Sequence, residues 1–148
     1  MTESFLLNKD DIYEKVAKTT LYTGAKMDDD EKAYDRIFTT DEDKIILNRF
    51  WEESKITVCN YLKRILHSEK EDDNALEIKL ELSSSFNTSL KSSMQSSLIS
   101  FFVMNITSKW FNLTNKEEAV GYATEATTYL EAVKRKALFK KKPTRPTY

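Results

Sequence analysis

The chain has 148 residues, of which 40% are hydrophobic and 32% are charged. This is the composition of one soluble globular domain with its own core, and two glycines with two prolines are too few for the many turns of a β-sandwich. The 23 basic and 24 acidic residues nearly cancel, so no global field favours nucleic acid, although residues 134–148 carry seven Lys or Arg and no acid.

The first half of the chain predicts helices. Capping chemistry at Asn8–Asp11 precedes the first one, and a short second helix is predicted to begin with the acidic run Asp28–Glu31. We interpret this run as a solvated helix start rather than a metal site, because neighbouring carboxylates on a helix diverge by about 100° per residue. Thr39 and Glu42 form a capping-box pattern that opens a third helix, which is predicted to reach about Leu66.

The segment Leu76–Leu82 alternates apolar and charged residues, which predicts a β-strand. The segment before it, Ser68–Ala75, is predicted to be a charged loop. The apolar residues of the predicted strand are Leu76, Ile78, Leu80 and Leu82. A strand needs a partner for its backbone, either near residues 21–26 or on a neighbouring molecule. No second alternating run is present, so we treat pairing between subunits as a serious alternative and take the four apolar residues as partner-binding candidates.

The densest apolar stretch is Leu90–Leu113, which predicts the central core helix. It is too short and too polar to span a bilayer, so no membrane association is expected. A capping-box pattern at Thr114–Glu117 separates it from a last helix that runs to about Phe139. That helix has an alanine-rich face, which predicts close antiparallel packing against the core helix.

The last nine residues form a basic segment that prolines keep from being helical. Its candidate partner-binding residues are Lys140, Lys141, Lys142, Pro143, Arg145, Pro146 and Tyr148. Three interpretations are open: a disordered solubilising end, a contact to phosphate backbones, or an extended arm that docks on a neighbouring protein. We favour the arm, because proline-fixed segments lose little entropy on binding.

No residue pattern points to catalysis. The glycines, Gly24 and Gly121, are isolated, so the chain has no phosphate-binding loop. Cys59 and His67 are the only residues of their types, which excludes an internal disulfide and a zinc site of the usual nitrogen and sulfur type. We expect Cys59 to fill the core and His67 to end the third helix, with no catalytic residue, metal or cofactor. The N-terminus lacks the basic and apolar parts of a signal peptide, so synthesis in the cytosol is expected.

These elements predict a mainly α fold. We expect a helical bundle of four to five helices in one domain over residues 1–139, with one short β-strand or hairpin before the core helix. Residues 140–148 are expected to leave it as an extended basic C-terminal arm.

The order of elements resembles the head-to-tail connector, or adaptor, proteins beneath the portal of tailed bacteriophages, in a version found in phages of Bacteroides-type hosts, including crAss-like phages. The resemblance covers about half of the chain and rests on LEIKLEL (Leu76–Leu82), the link at Phe86–Asn87, SKWF (Ser108–Phe111), LTNKEEAVGYATEA (Leu113–Ala126) and KRKALFKKKPTRP (Lys134–Pro146).

The resemblance implies a structural virion protein in the neck of the particle. Such adaptors are helical bundles with extended arms that assemble as rings, commonly dodecameric, extend the DNA channel and dock portal, neck and tail proteins. Non-specific proximity to DNA in the channel would follow. The competing hypothesis is a small nucleic-acid-associated helical protein that uses Lys134–Arg145, and a third is an ordinary cytosolic helical domain.

Overall fold

The computed structural model describes residues 1–25 and 43–140. In this part of the chain four helices pack with a three-stranded antiparallel sheet, so the predicted mainly α fold with a hairpin before the core helix is confirmed. The elements are β1 (Thr2–Asn8), α1 (Lys9–Ala25), α2 (Lys44–Tyr61), β2 (Leu66–Glu71), β3 (Ala75–Glu81), α3 (Lys91–Thr114) and α4 (Lys116–Ala137). The helix predicted to begin at Asp28, the capping box at Thr39 and the arm beyond Lys140 lie outside the described residues.

The sheet has the order β1-β3-β2, with β3 in the centre. Phe5 of β1 lies opposite Ile78, and Glu69 of β2 lies opposite the same residue on the other side. Both edges of β3 are therefore paired within the chain, and the expectation that this strand pairs with a neighbouring subunit is wrong.

The apolar side chains of the predicted strand belong to the core of the described chain. Leu76, Ile78 and Leu80 are fully buried and Leu82 is 5% exposed, so none is available to a partner. The strands that pair with β3 lack a clear two-residue period, which explains the error. Leu6 interrupts the alternation in β1, and β2 is an edge strand whose residues from His67 to Glu71 are solvent-exposed.

Helix α2 ends at Tyr61, earlier than predicted. Leu66 and His67 lie in β2, and the segment expected to be a charged loop contains most of β2 and the first residue of β3. Apolar residues at 62, 65 and 66 continue the helical spacing, so periodicity alone extends the helix too far. Residues 66–71 are extended because they pair with β3. This pairing begins where the Glu81 N–H donates a hydrogen bond to the Ile65 carbonyl at 2.7 Å.

Helix α3 is the centre of the fold, as predicted. Met94, Leu98, Phe102, Ile106 and Phe111 along it are fully buried. Helix α4 packs on α3 through a face that includes three alanines, and these small residues allow a close approach. The Ser108 hydroxyl even donates to the carbonyl of Ala119 on α4, at 2.9 Å.

The turn between α3 and α4 does not use the predicted capping box. Thr114 is the last residue of α3, and its hydroxyl donates back to the Trp110 carbonyl at 3.2 Å. The backbone N–H of Asn115 donates to the Phe111 carbonyl at 2.7 Å, so the end of α3 is closed by backbone bonds.

Candidate docking surface at the basic end of the molecule

The described residues hold no group suited to metal chemistry. Within residues 1–25 and 43–140, no three His, Cys, Asp or Glu side chains come together in a way that could hold a metal ion. In the same part of the chain, no helix is both long and apolar enough to cross a membrane.

Cys59 is held as a protonated thiol. Its side chain is partly buried on α2, and the thiol donates a hydrogen bond to the Glu69 carboxylate on β2. Burial, followed by the bond to Glu69 and its negative charge, raises the pKa of Cys59 to about 12. A thiol with so small a thiolate fraction near neutral pH is a poor nucleophile.

A polar cluster around Trp51 joins α1, α2 and β2. The Trp51 Nε1 donates to Glu71 Oε1 at 2.9 Å, and the Lys55 ammonium lies 2.6 Å from Glu71 Oε2. On the other side, the Lys9 ammonium lies 5.5 Å from the centre of the Trp51 ring.

Within this cluster, Lys55 and Glu71 stabilise each other's charged forms. Burial alone would raise the pKa of Glu71, but the hydrogen bonds from Lys55 and Trp51 and the nearby lysine charges lower it. The bond to Glu71 raises the pKa of Lys55 in spite of burial. Both groups keep their charges at neutral pH, so the cluster stabilises the packing and lacks a group poised for proton transfer.

The basic end of α4 is fixed on the start of α3. Lys134, Arg135 and Lys136 occupy the last turn of α4, where cations suit the negative pole of the helix. The Lys136 ammonium donates to the hydroxyls of Ser93 at 2.5 Å and Ser97 at 3.3 Å. These bonds anchor the end of the helix from which the basic segment leaves.

Lys140 is the one predicted arm residue that the structure describes, and its backbone is bound to this chain. It forms an isolated antiparallel bridge with Phe86, whose side chain is fully buried. The Asn87 N–H also donates to the Phe139 carbonyl at 3.2 Å. The root of the arm is therefore fixed to the link before α3. Lys141, Lys142, Pro143, Arg145, Pro146 and Tyr148 lie outside the described residues.

A groove opens beside this root, between the end of α2 and the end of α4. Its volume is about 400 Å³. The lining residues are Asn60, Tyr61, Leu62, Lys63, Arg64, Ile65, Lys134 and Leu138. None of them is acidic, and neither Lys63 nor Arg64 forms an ion pair with any described residue.

Apolar surface lies next to these cations. Leu138 is 65% exposed and Phe139 is 53% exposed, although both are large hydrophobic residues. The Lys134 ammonium lies 4.9 Å from the centre of the Tyr61 ring, across the groove. Positive charge and exposed apolar surface together are typical of a protein-binding surface.

Sequence reasoning found the basic run at the end of α4 but missed the contribution of α2. A helix that reaches about Leu66 would include Lys63 and Arg64, whereas in the structure both residues follow the end of α2 at Tyr61. The signal that could have identified the groove is the meeting of residues 61–65 with residues 134–138, which depends on the tertiary fold.

Comparisons with known proteins gave no relative. No protein-family model matches the chain, and no curated protein or solved structure is significantly similar to it.

Proposed function

We propose that this chain is a structural virion protein, a head-to-tail connector that forms a ring between the portal and the tail of a bacteriophage. The observation that carries the proposal is the root of the basic arm, which is fixed to a rigid helical frame by the bridge between Phe86 and Lys140. An arm attached in this way leaves each subunit from a defined position, as a docking device requires.

A ring needs a heterologous contact, in which one surface of a subunit meets a different surface of the next. The basic end supplies one such surface, with exposed Leu138 and Phe139 beside the cations. On this proposal the arm is rooted at Lys140, and the segment beyond it, to Tyr148, reaches a neighbouring subunit or the portal protein. The ring would be dodecameric to match the portal, would extend the DNA channel and would lie in the neck of the virion after synthesis in the host cytoplasm.

The proposal is tested by removing the arm beyond its root. We expect deletion of residues 141–148 to abolish ring formation, because the bridge at Lys140 remains but the docking segment is lost. The full chain and the variant are each mixed with the portal protein that the proposal expects to be encoded near this gene, and rings are counted by electron microscopy and weighed by native mass spectrometry. Portal is included because ring subunits can remain monomeric until they meet their platform.

Two controls test whether rings are lost because the docking segment is missing, rather than because the chain unfolds or loses positive charge. Far-UV circular dichroism should give the same helix content for the full chain and the deletion variant. A chain with Lys141→Arg and Lys142→Arg keeps the charge and should still assemble. Rings that form normally without residues 141–148 refute the arm, and a gene that has no portal or capsid gene near it argues against the connector as a whole.

The second candidate function is nucleic-acid binding, which the acid-free basic segment from Lys134 to Arg145 favours. It requires an affinity for duplex DNA that falls steeply with salt and disappears when Lys140, Lys141 and Lys142 are changed to Gln. Fluorescence anisotropy at increasing salt concentrations measures this dependence.

A further inference from the structure

We propose that the groove between the ends of α2 and α4 binds the acidic run Asp28–Glu31 of a second copy of this chain. The inference deepens the proposed function by naming the contact between subunits, and it requires only that the chain associates with itself. It does not involve the arm beyond Lys140.

The groove has the chemistry that such a segment needs. Lys63 and Arg64 are solvent-exposed and have no acidic partner among the described residues, so a bound carboxylate would displace no ion pair formed within residues 1–25 and 43–140. Lys134 adds a third cation on the opposite wall. Leu138 contributes exposed apolar surface that can contact the carbon atoms of the bound chain.

The chain itself contains a matching sequence. Asp28, Asp29, Asp30 and Glu31 are four consecutive acids, and Tyr34 follows three positions after Glu31 in the sequence. Charge complementarity between a surface and a segment of the same chain is the arrangement that favours head-to-tail association.

The observations favour a protein segment over duplex DNA as the occupant. A groove of about 400 Å³ accepts a few side chains, and its walls include Tyr61, Leu62, Ile65 and Leu138. A phosphate backbone would use the three cations and leave this apolar surface exposed. An acidic peptide with a nearby aromatic residue uses both parts.

The test is a titration that does not depend on ring formation. A synthetic peptide of residues 26–38 is added to the ¹⁵N-labelled full chain, and amide chemical shifts are followed by nuclear magnetic resonance. We expect the shifts to concentrate at residues 60–65 and 134–138. The matched peptide with Asp28, Asp29 and Asp30 changed to Asn should bind on the order of tenfold more weakly or not at all.

Variants of the full chain locate the site. Lys63→Glu with Arg64→Glu should weaken peptide binding on the order of tenfold, and a peptide with Lys in place of the three aspartates should bind this variant better than it binds the natural chain. Lys15→Glu with Lys70→Glu, two exposed sites away from the groove, should leave binding of the natural peptide unchanged. Removal of residues 141–148 should also leave it unchanged, so failure of the arm and failure of the groove are distinguishable.

The opposite results overturn the inference. They are the absence of any shift at millimolar peptide, shifts that avoid the groove, or an affinity that does not respond to Lys63→Glu with Arg64→Glu. A short DNA duplex, titrated in parallel, also overturns it if the duplex shifts the same amides at lower concentration than the peptide.

Discussion

Replacement of Trp51 by Ala should destabilise the fold more than any change on the solvent face of α2. The Trp51 side chain is fully buried. Its ring centre lies 4.7 Å from that of Phe102 and 6.2 Å from that of Tyr13, so one side chain connects three helices. Its Nε1 hydrogen bond to Glu71 extends the connection to the sheet.

The expected cost follows from these contacts. Truncation of a buried aromatic residue to Ala costs about 3–5 kcal/mol, because the lost burial is accompanied by a cavity. The variant also removes the hydrogen bond that Trp51 donates to the Glu71 carboxylate. Counted alone, this loss costs about 1.5–3 kcal/mol, but part of it is already included in the cost of truncation. We expect about 4 kcal/mol for Trp51→Ala, a large share of the roughly 5–15 kcal/mol by which a domain is stable.

Urea unfolding followed by far-UV circular dichroism measures this cost, because loss of the indole removes much of the fluorescence signal. With a slope near 2 kcal/mol per molar urea, the midpoint should fall by roughly 2 M. Ile45→Ala is the control: Ile45 lies on the same helix but is 88% exposed, so the free energy of unfolding should change by no more than about 0.5 kcal/mol. If both variants unfold at the same urea concentration, Trp51 does not hold the helices together as argued.

The remaining predictions concern two titrating groups. The pKa of Glu71 is lowered in the folded chain, so the unfolded chain binds a proton at this residue more readily. The contribution of ionised Glu71 to folding stability is therefore present above the unfolded pKa of about 4.3 and is lost as pH falls through the folded pKa. Urea midpoints measured from pH 6 to pH 3 should therefore fall more for the natural chain than for Glu71→Gln, and parallel curves would contradict this. The raised pKa of Cys59 predicts alkylation by iodoacetamide at pH 8 at least about 100-fold slower in the native chain than in urea. Glu69→Gln should speed the native reaction, and equal native and unfolded rates would show that the thiol is not shielded.

The long helices were predictable because their signals are local. The Asn8 side chain accepts a hydrogen bond from the Asp11 N–H at 3.0 Å, as the capping pattern before α1 indicated. Helix α3 carries enough apolar residues to be buried on most of its surface, and α4 carries the small residues that fit beside it. In each case the sequence of the element contains the reason for its conformation.

The sheet was less predictable because two of its strands depend on the third. β3 shows the alternation of a half-buried strand, with Leu76 and Ile78 inward and charged neighbours between them. β2 has a charged sequence without a period and is extended because β3 offers it hydrogen bonds. Its bulge between Leu66 and Ser68 is a further departure from regular pairing. Propensity and pattern describe such a strand poorly, since its conformation is decided by a neighbour.

The root of the arm and the groove are held by the same part of the fold, and this connection is not visible in a local sequence pattern. Ile65 of the groove accepts the hydrogen bond from Glu81 at the end of β3, and Leu82, the next residue, donates to the Met1 carbonyl at 2.7 Å. The same link continues to Phe86, which pairs with Lys140 only two residues after Leu138 of the groove. A displacement of α4 on α3 would therefore move the root of the arm and one wall of the groove together. Because buried Leu130 and Val133 hold α4 against α3, the packing of the core sets the positions of both surfaces relative to each other.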